Sequence, residues 1–187
     1  MQQCPLPFDR PLRRRFKAVF VFCGVGGGAR GFQQASALLD RLGLSAEFEV
    51  LGGVECDPST ARDFTRLTGA PCLLARVEDL TPERLRAFFG EEVDLIFFSP
   101  PCKAASGLLS RELAATEKYQ TMGNLGAVFV ELMFRTWPGG PKLLLMENVP
   151  RVRVMFPRMI ESIRDAFRAD PTLGGVCAAE AWGDEPD

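Results

Sequence analysis

Val19-Phe20-Val21-Phe22-Cys23-Gly24-Val25-Gly26-Gly27-Gly28-Ala29 is the stretch on which the reading of this chain turns. Val19 to Phe22 form a short β-branched and aromatic run, the composition of a buried strand. Gly24 to Gly28 break it. A helix then fits from about Ala29 to Leu42, with Phe32, Ala35, Leu39 and Leu42 on one face. Gly43 stands where a helix-stopping glycine belongs. Glycine lets a backbone turn tightly and approach a ligand, and a helix N-terminus offers free N–H groups. The spacing satisfies G-x-G-x-x-A from Gly24 and G-x-G-x-x-G from Gly26 to Gly31, a pattern shared with dinucleotide folds. Five glycines in the eight residues from Gly24 to Gly31 argue against a plain turn.

Downstream the alternation repeats. Val50 to Glu55 reads as a second strand, and Asp57-Pro58 as the cap and first turn of a helix through about Leu67. Cys72 to Val77 is a third strand. Thr81-Pro82 opens a helix that Phe88-Phe89 closes before Gly90. Val93 to Phe98 is a fourth strand, followed by a long helix from about Glu117 to Trp137. Leu143 to Met146 is a fifth strand, and a final helix fits from about Arg151 to Arg168. This order predicts an α/β fold, a three-layer sandwich around a mostly parallel sheet with right-handed crossovers. It also divides the chain into a basic N-terminal tail (1–17), one α/β domain (18–169) and a flexible C-terminal tail (170–187).

The bulk numbers set limits on function. The 187 residues carry 22 Lys+Arg against 24 Asp+Glu, so net charge gives no signal for or against nucleic acid. A basic cluster, Arg10, Arg13, Arg14, Arg15 and Lys17, reads as a solvated tail, with a phosphate-contacting arm as the alternative. The chain has six cysteines, none in a C-x-x-C pair, and no histidine. That argues against a zinc site and excludes a triad with a His base. Scattered thiols suit a reducing cytoplasm. No apolar run is long enough to span a bilayer, and the apolar run after the basic cluster lacks the cleavage site of a signal peptide.

In an open parallel sheet, ligands sit outside the carboxyl ends of the strands. Four candidates fall there. The first is the glycine loop. The second is Glu55 with Asp57: an acid ending that strand can accept hydrogen bonds from ribose hydroxyls, while Asp57 is better explained as a helix cap. The third is Ser99-Pro100-Pro101-Cys102, where two prolines stiffen a loop and hold a thiol at the sheet edge. The fourth is Glu147-Asn148-Val149, a carboxylate ending an apolar strand, costly unless paired or used; a helix N-terminal acid is the alternative.

Together these residues resemble the ordered motifs of the cytosine-5 DNA methyltransferase family. Phe22-Cys23-Gly24-Val25-Gly26-Gly27 is similar to its first motif, Val54-Glu55-Cys56-Asp57 to its second, Pro100-Pro101-Cys102 to the fourth and Glu147-Asn148-Val149 to the sixth. The likeness runs from about Val19 to Arg151. It implies a Rossmann-like S-adenosylmethionine-dependent methyltransferase fold, present in part. It implies S-adenosyl-L-methionine as cofactor, held by Phe22, Gly24, Gly26, Gly27, Glu55, Cys56, Val77, Pro101 and Val128. Cys102 is then the nucleophile and Glu147 its acidic partner, with Asn148 and Ser106 on the substrate. The implied substrate is cytosine in DNA, with RNA open because the family includes transfer-RNA methylating members.

The chain departs from the family pattern at several places. Phe20 stands where an Asp is usual. Arg76 stands where an Asp near the adenine is common. Lys103, Ala104 and Ala105 replace the usual Gln, Gly and Phe. The basic motif, the target-recognition domain and the last cofactor motif are not found after Arg151, so a second chain supplying target recognition is one expectation. A catalytically incomplete remnant or partner subunit is an alternative from another class. A nicotinamide-dependent oxidoreductase would explain the glycine loop and Glu55, but not Cys102 and Glu147.

Overall fold

The computed structural model describes residues 14–168, apart from 45, 104, 106 and 108. Its centre is a five-stranded sheet in the order β3-β2-β1-β4-β5. The strands are β1 (Arg14–Val21), β2 (Ala46–Glu55), β3 (Cys72–Leu74), β4 (Leu95–Phe98) and β5 (Leu143–Met146). Every pairing is parallel. The chain winds outward from β1 through β2 to β3, then returns to β4 on β1's other edge and continues to β5. The reversal between β1 and β4 is a topological switch point.

Side-chain alternation along β1 builds both faces of the sheet. Ala18 and Phe20 point to one side and join Ala29, Phe64 and Leu95. That layer holds α1 (Gly27–Arg41) and α2 (Pro58–Thr68). Val19 and Val21 point to the other side and join Ile96, Phe98, Phe129, Met133 and Trp137. That layer holds α3 (Pro82–Phe89) and α6 (Leu125–Thr136). The outcome is the three-layer α/β arrangement expected from the alternating pattern.

A third cluster lies beyond β5. Val152, Phe156, Met159 and Ile160 pack with the fully buried Ala105. They come from α7 (Val152–Met155) and α8 (Pro157–Arg168), while α4 (Arg111–Ala114) and α5 (Glu117–Gly123) lead into α6.

Several boundaries differ from the sequence reading, β2 starting at Ala46 and not Val50 and β4 at Leu95 and not Val93 among them, and four have a clear physical reason. The basic segment read as tail through Lys17 is strand from Arg14 onward, with Arg14 to Ala18 laddered to Ala46 to Val50 of β2. Its cations are held at the surface by acids on neighbouring segments: Arg15 lies 3.7 Å from Glu47 and 3.8 Å from Glu49, and Lys17 3.2 Å from Glu92. The third strand stops at Leu74, and a short 3-10 turn, Val77–Asp79, follows. The long helix divides into α5 and α6 at Gly123 and Asn124. A Cβ on Gly123 would fall 2.1 Å from the Phe156 ring, and the Asn124 amide donates to the Gln120 carbonyl at 3.0 Å. The last helix divides at Phe156 because Pro157 disfavours helical backbone in the residue before it. The C-terminal tail from 170 lies outside the described residues.

Asp94 fastens the edge of the sheet opposite the candidate site. Its carboxylate accepts from the Lys17 N–H at 2.8 Å and pairs with Lys142, and its carbonyl accepts from Leu143 N–H at 3.0 Å. Burial pushes the Asp94 carboxyl up, but the Lys142 and Lys17 hydrogen bonds and charges outweigh it and hold it below the usual range.

Gly53 on β2 has no room for a side chain: a Cβ there would lie 2.5 Å from the Cys23 sulfur and 2.9 Å from the buried Phe64 ring. Gly53→Ala is expected to cost about 1–3 kcal/mol through overpacking, read as a fall in the urea midpoint with an unchanged slope. A midpoint equal to that of the parent protein would show that Phe64 and Cys23 move aside freely.

Candidate active site

The parallel register puts the candidate residues in one row. Val21 pairs with Val54 and with Phe98, Phe98 pairs with Met146, and Glu55 pairs with Leu74. One step past these partners come Phe22, Ser99 and Glu147, beside Glu55. Backbone bonds continue the ladders: Cys23 N–H to Val54 O at 3.2 Å, Ser99 N–H to Val21 O at 3.1 Å, and Glu147 N–H to Phe98 O at 3.1 Å. Residues spread over more than ninety positions of sequence therefore share one sheet edge, at steps of about 4.8 Å from strand to strand.

The glycine loop leaves β1 through unusual backbone. Phe22 has φ +53°, a left-handed conformation uncommon outside glycine, and Gly24 (φ +53°) and Gly26 (φ +94°) follow. Gly26 is required on two counts, since a Cβ there would also fall 2.9 Å from Thr68 and 3.0 Å from Phe64. Gly24 and Gly27 face open space, with nothing within 4 Å of a built Cβ. Glu55 ties the loop to β2. One carboxylate oxygen accepts from Gly24 N–H at 3.0 Å, and the other from Cys56 N–H at 2.8 Å and Asp57 N–H at 3.3 Å.

A cleft of about 540 Å³ opens beside this loop. Of the residues named for cofactor binding, Phe22, Glu55, Cys56, Val77 and Pro101 line it. Val128 is not among its lining residues: it lies on α6, 40% exposed, and Leu125 at the start of that helix takes the place against the cleft. The Cys56 thiol donates to Glu55 at 3.5 Å, and burial followed by this carboxylate pushes it up from its usual range.

On the far side of the switch point, Pro100 and Pro101 lead from β4 to the half-buried Cys102. The loop is pinned by Ala105, whose N–H donates to the Cys102 carbonyl at 2.9 Å and which is 0% exposed. Asn148 crosses from the end of β5, its amide donating to the Pro100 carbonyl at 2.9 Å. The Ser99 hydroxyl donates to the exposed Glu147 carboxylate. Glu147 precedes the first residue of α7 by five positions, so it is no first-turn helix acid. Ser106 lies outside the described residues.

Sequence reasoning left four contributors unassigned. Ser99 stands in the loop that carries Cys102, and its pairing with Glu147 depends on two strands being neighbours. Met122 and Leu125 form a wall of the cleft from α5 and α6 and carry no motif. Glu78 lines the cleft beside Arg76, to which it is bonded at 2.8 Å. Among the described residues, no group of three His, Cys, Asp or Glu side chains is placed to hold a metal ion, and no helix is long and apolar enough to cross a membrane.

An open parallel sheet with a glycine loop and a cleft at its carboxyl edge defines a Rossmann-like α/β domain. Residues 16–167 match the family model for C-5 cytosine-specific DNA methylases, and the chain belongs to that family. Membership implies S-adenosylmethionine-dependent chemistry. The fold is shared with S. pombe Dnmt2 methyltransferase (TM-score 0.57, 17% identity, 83% of this chain and 41% of that one). It is shared too with a protein encoded in an E. coli prophage and described as a DNA modification methyltransferase (0.55, 22%, 82% and 37%). A third is EhMeth of Entamoeba histolytica (0.54, 14%, 83% and 44%). The chain thus spans less than half the length of each of these relatives. No curated protein sequence matches it.

Asp57 is the cap of α2. It accepts from the Ser59 hydroxyl at 2.6 Å and from Thr60 N–H at 2.8 Å, and these bonds, the Ser59 one foremost, push its carboxyl down to about 2. A depressed carboxyl stabilises the fold above its unfolded value of 3.8, and that contribution is lost as pH falls through the folded value. Asp57→Ala is expected to lower Tm by roughly 2–4 °C at neutral pH. The gap should hold steady down to about pH 5 and narrow below about pH 4; a gap independent of pH would assign the loss to something other than the ionised cap.

Proposed function

We propose that this chain is the cofactor-binding and nucleophile-bearing part of an enzyme that methylates carbon 5 of cytosine in DNA, with Cys102 as the nucleophile. The observation that carries the reading is the row at the sheet edge: Glu55, Phe22, the Ser99–Cys102 loop and Glu147 in adjacent strand positions about the switch point, in a chain that belongs to this family.

The cleft fits the cofactor on its own chemistry. A volume of about 540 Å³ is within the range of small-molecule sites. Glu55 supplies carboxylate oxygens at the end of β2, where ribose hydroxyls can donate. Phe22, Val77 and Pro101 supply apolar walls, and Gly24 and Gly27 leave the loop backbone open. When bound, S-adenosylmethionine supplies a methyl group activated by a positively charged sulfur.

The protein's own residues then have to activate cytosine, whose carbon 5 is a poor nucleophile. The Cys102 thiolate adds to carbon 6, forming a C–S bond, and the ring's electron pair moves to carbon 5. Glu147 hydrogen-bonds ring nitrogen 3 and offsets the charge that builds there. Ser99 holds the Glu147 carboxylate, and Asn148 fixes the direction of the Pro100–Cys102 turn. After methylation, loss of the carbon-5 proton and departure of the thiolate restore the aromatic ring. The target base has to leave its duplex stack to reach such a site. Target recognition is assigned to protein additional to residues 14–168, in the same or a second chain. Scattered thiols fit the cytoplasm as the place of action.

The test is covalent trapping. The full chain is incubated with methyl-tritiated S-adenosylmethionine and DNA containing 5-fluorocytosine, whose fluorine blocks the final elimination. A labelled protein–DNA adduct, absent in Cys102→Ala, is expected. Cofactor binding without an adduct would show that these residues do not suffice for transfer. Neither binding nor adduct would remove the enzymatic reading. A parallel arm with 5-fluorocytosine RNA separates the two nucleic acids.

Ser99→Ala tests the support of Glu147. Adduct formation is expected to slow by about tenfold or more, the worth of one hydrogen bond to a charged group, while cofactor affinity stays unchanged. An equal fall in both would place Ser99 in the cofactor site instead.

A further inference from the structure

Two thiols meet at the base of the glycine loop, and no step of the proposed reaction uses them. Cys23 lies in the loop after β1, and Cys72 is the first residue of β3. β2 stands between those strands, and strands two places apart are separated by about 9.5 Å. The two sulfurs nevertheless lie 3.8 Å apart, one thiol donating to the other. Gly53 on β2 makes the approach possible. The register sets it beside Cys72, and a Cβ on it would fall 2.5 Å from the Cys23 sulfur. The Cys23 side chain thus crosses β2 through space that any other residue at 53 would fill. Both thiols are half-buried, packed against the cluster that holds Phe20 and Phe64, and β3 is an outer strand of the sheet.

The pair is asymmetric. The hydrogen bond from Cys23 holds the Cys72 thiol below its usual range, against burial and the Glu55 charge, which push it up. The same bond, then burial, pushes the Cys23 thiol up. Cys72 is therefore the thiol that ionises first, and Cys23 the one that follows. The attachment of Cys23 links the pair to the cleft. Its N–H donates to Val54 O at 3.2 Å, and its carbonyl accepts from Gly26 N–H at 3.0 Å. On one side is Phe22, at φ +53°, and on the other Gly24, whose N–H is held by Glu55 at 3.0 Å. Bonded sulfurs are about 2.05 Å apart, so roughly 1.8 Å of the present separation has to close. Cys72 is laddered to β2 and backed by the fully buried Phe64. The loop has open space at Gly24 and Gly27, so the movement falls on the loop.

We propose that Cys23 and Cys72 form a reversible disulfide that draws the glycine loop towards β3 and weakens cofactor binding, so that the cleft takes cofactor when the pair is reduced. The effect on cofactor rests on the reading of the cleft as the S-adenosylmethionine site. The oxidant is a small-molecule disulfide of the oxidised-glutathione class. The Cys72 thiolate attacks one of its sulfurs, breaking that S–S bond, forming a mixed disulfide and releasing one small thiolate. Cys23 gives its proton to water, and its thiolate attacks the Cys72 sulfur, forming the internal bond and releasing the second small thiolate. The two protein thiols lose two electrons and two protons in all, and the small disulfide gains them as two thiols. Disulfides in reducing compartments are for the most part transient and redox-sensing, as a gate of this kind requires.

Peptide mapping and calorimetry test the bond and its consequence separately. The full-length chain is equilibrated with oxidised glutathione, blocked with iodoacetamide and digested with trypsin. Cys23 and Cys72 fall in different peptides, Ala18–Arg30 and Leu67–Arg76, and Cys56 in another, Leu42–Arg62. The expected product is the first two peptides joined by a bond that dithiothreitol breaks. Cys23 joined to Cys56, or glutathione left on either thiol with no internal bond, overturns the pair. The dissociation constant for S-adenosylhomocysteine is expected to rise about tenfold or more on oxidation and to return with dithiothreitol. Cys72→Ala is expected to bind within about threefold of the reduced parent protein, with or without oxidised glutathione. A joined pair that leaves affinity unchanged overturns the gate, and an equal loss in Cys72→Ala assigns the effect to other thiols and overturns it too. A reduced parent protein that binds no S-adenosylhomocysteine overturns the cofactor reading and the gate with it, whatever the mapping shows. A melting curve for each form separates these results from misfolding.

Discussion

The register of β1 between β2 and β4 is the constraint on which the site depends. β1 is bonded along both edges, and its alternate residues fill both faces of the sheet. A slip of one residue would turn Val19 and Val21 towards α1 and Phe20 towards α6, reversing two cores at once. The cores therefore hold the register, and the register decides which residues emerge at the carboxyl edge. Phe22, Glu55, Ser99 and Glu147 are neighbours because four apolar strands stop in step.

The glycine loop shows what this rigidity supports. A left-handed Phe22 is a local cost of order 1–3 kcal/mol, tolerated because its surroundings leave it no alternative. Its ring packs edge-on to Phe129, 6.5 Å between centroids. The next N–H but one is clasped by Glu55. The strained residue is thus fixed from the core side and from β2, while the glycines after it stay open. A loop so held approaches a ligand with little left to order on binding.

Much of this was legible in the residues, and what was not has identifiable causes. Each strand existed as an apolar run, and placing candidates after strands was enough to gather Phe22, Glu55, Pro101, Cys102 and Glu147. The start of β1 was missed because Arg14, Arg15 and Lys17 make a strand look like a tail; Arg15 lies beside Glu47 and Glu49, and Lys17 beside Glu92, none of which is near them in sequence. The break at Gly123 goes with its contact with Phe156 of a later segment, which pattern along one helix does not report, whereas the break at Phe156 was open to reading from Pro157. Val128 was expected at the cofactor on the resemblance, and Leu125, one turn earlier on α6, lines the cleft instead. Ser99 needed strand order before it had a partner in Glu147.

Strand order also separates the two chemistries that a glycine loop and an acid leave open. A nicotinamide enzyme uses the β1–β2 side of such a sheet for its cofactor and has no need for a thiol on a proline-stiffened turn after β4 or a carboxylate after β5. Here both are present and mutually supported: Asn148 from the β5 side bonds the Pro100 carbonyl, and Ser99 from the β4 side bonds Glu147. These reciprocal bonds make the two strand ends one unit, at the switch point's far side from Glu55. From β3 across to β5, the edge presents in turn the end of the cleft, Glu55, the glycine loop, the Cys102 turn and Glu147. On the proposed function, that order sets the adenosyl donor on one side of the switch point and the cytosine on the other. Spacing between strands, and not any one motif, sets the distance over which the transfer is made.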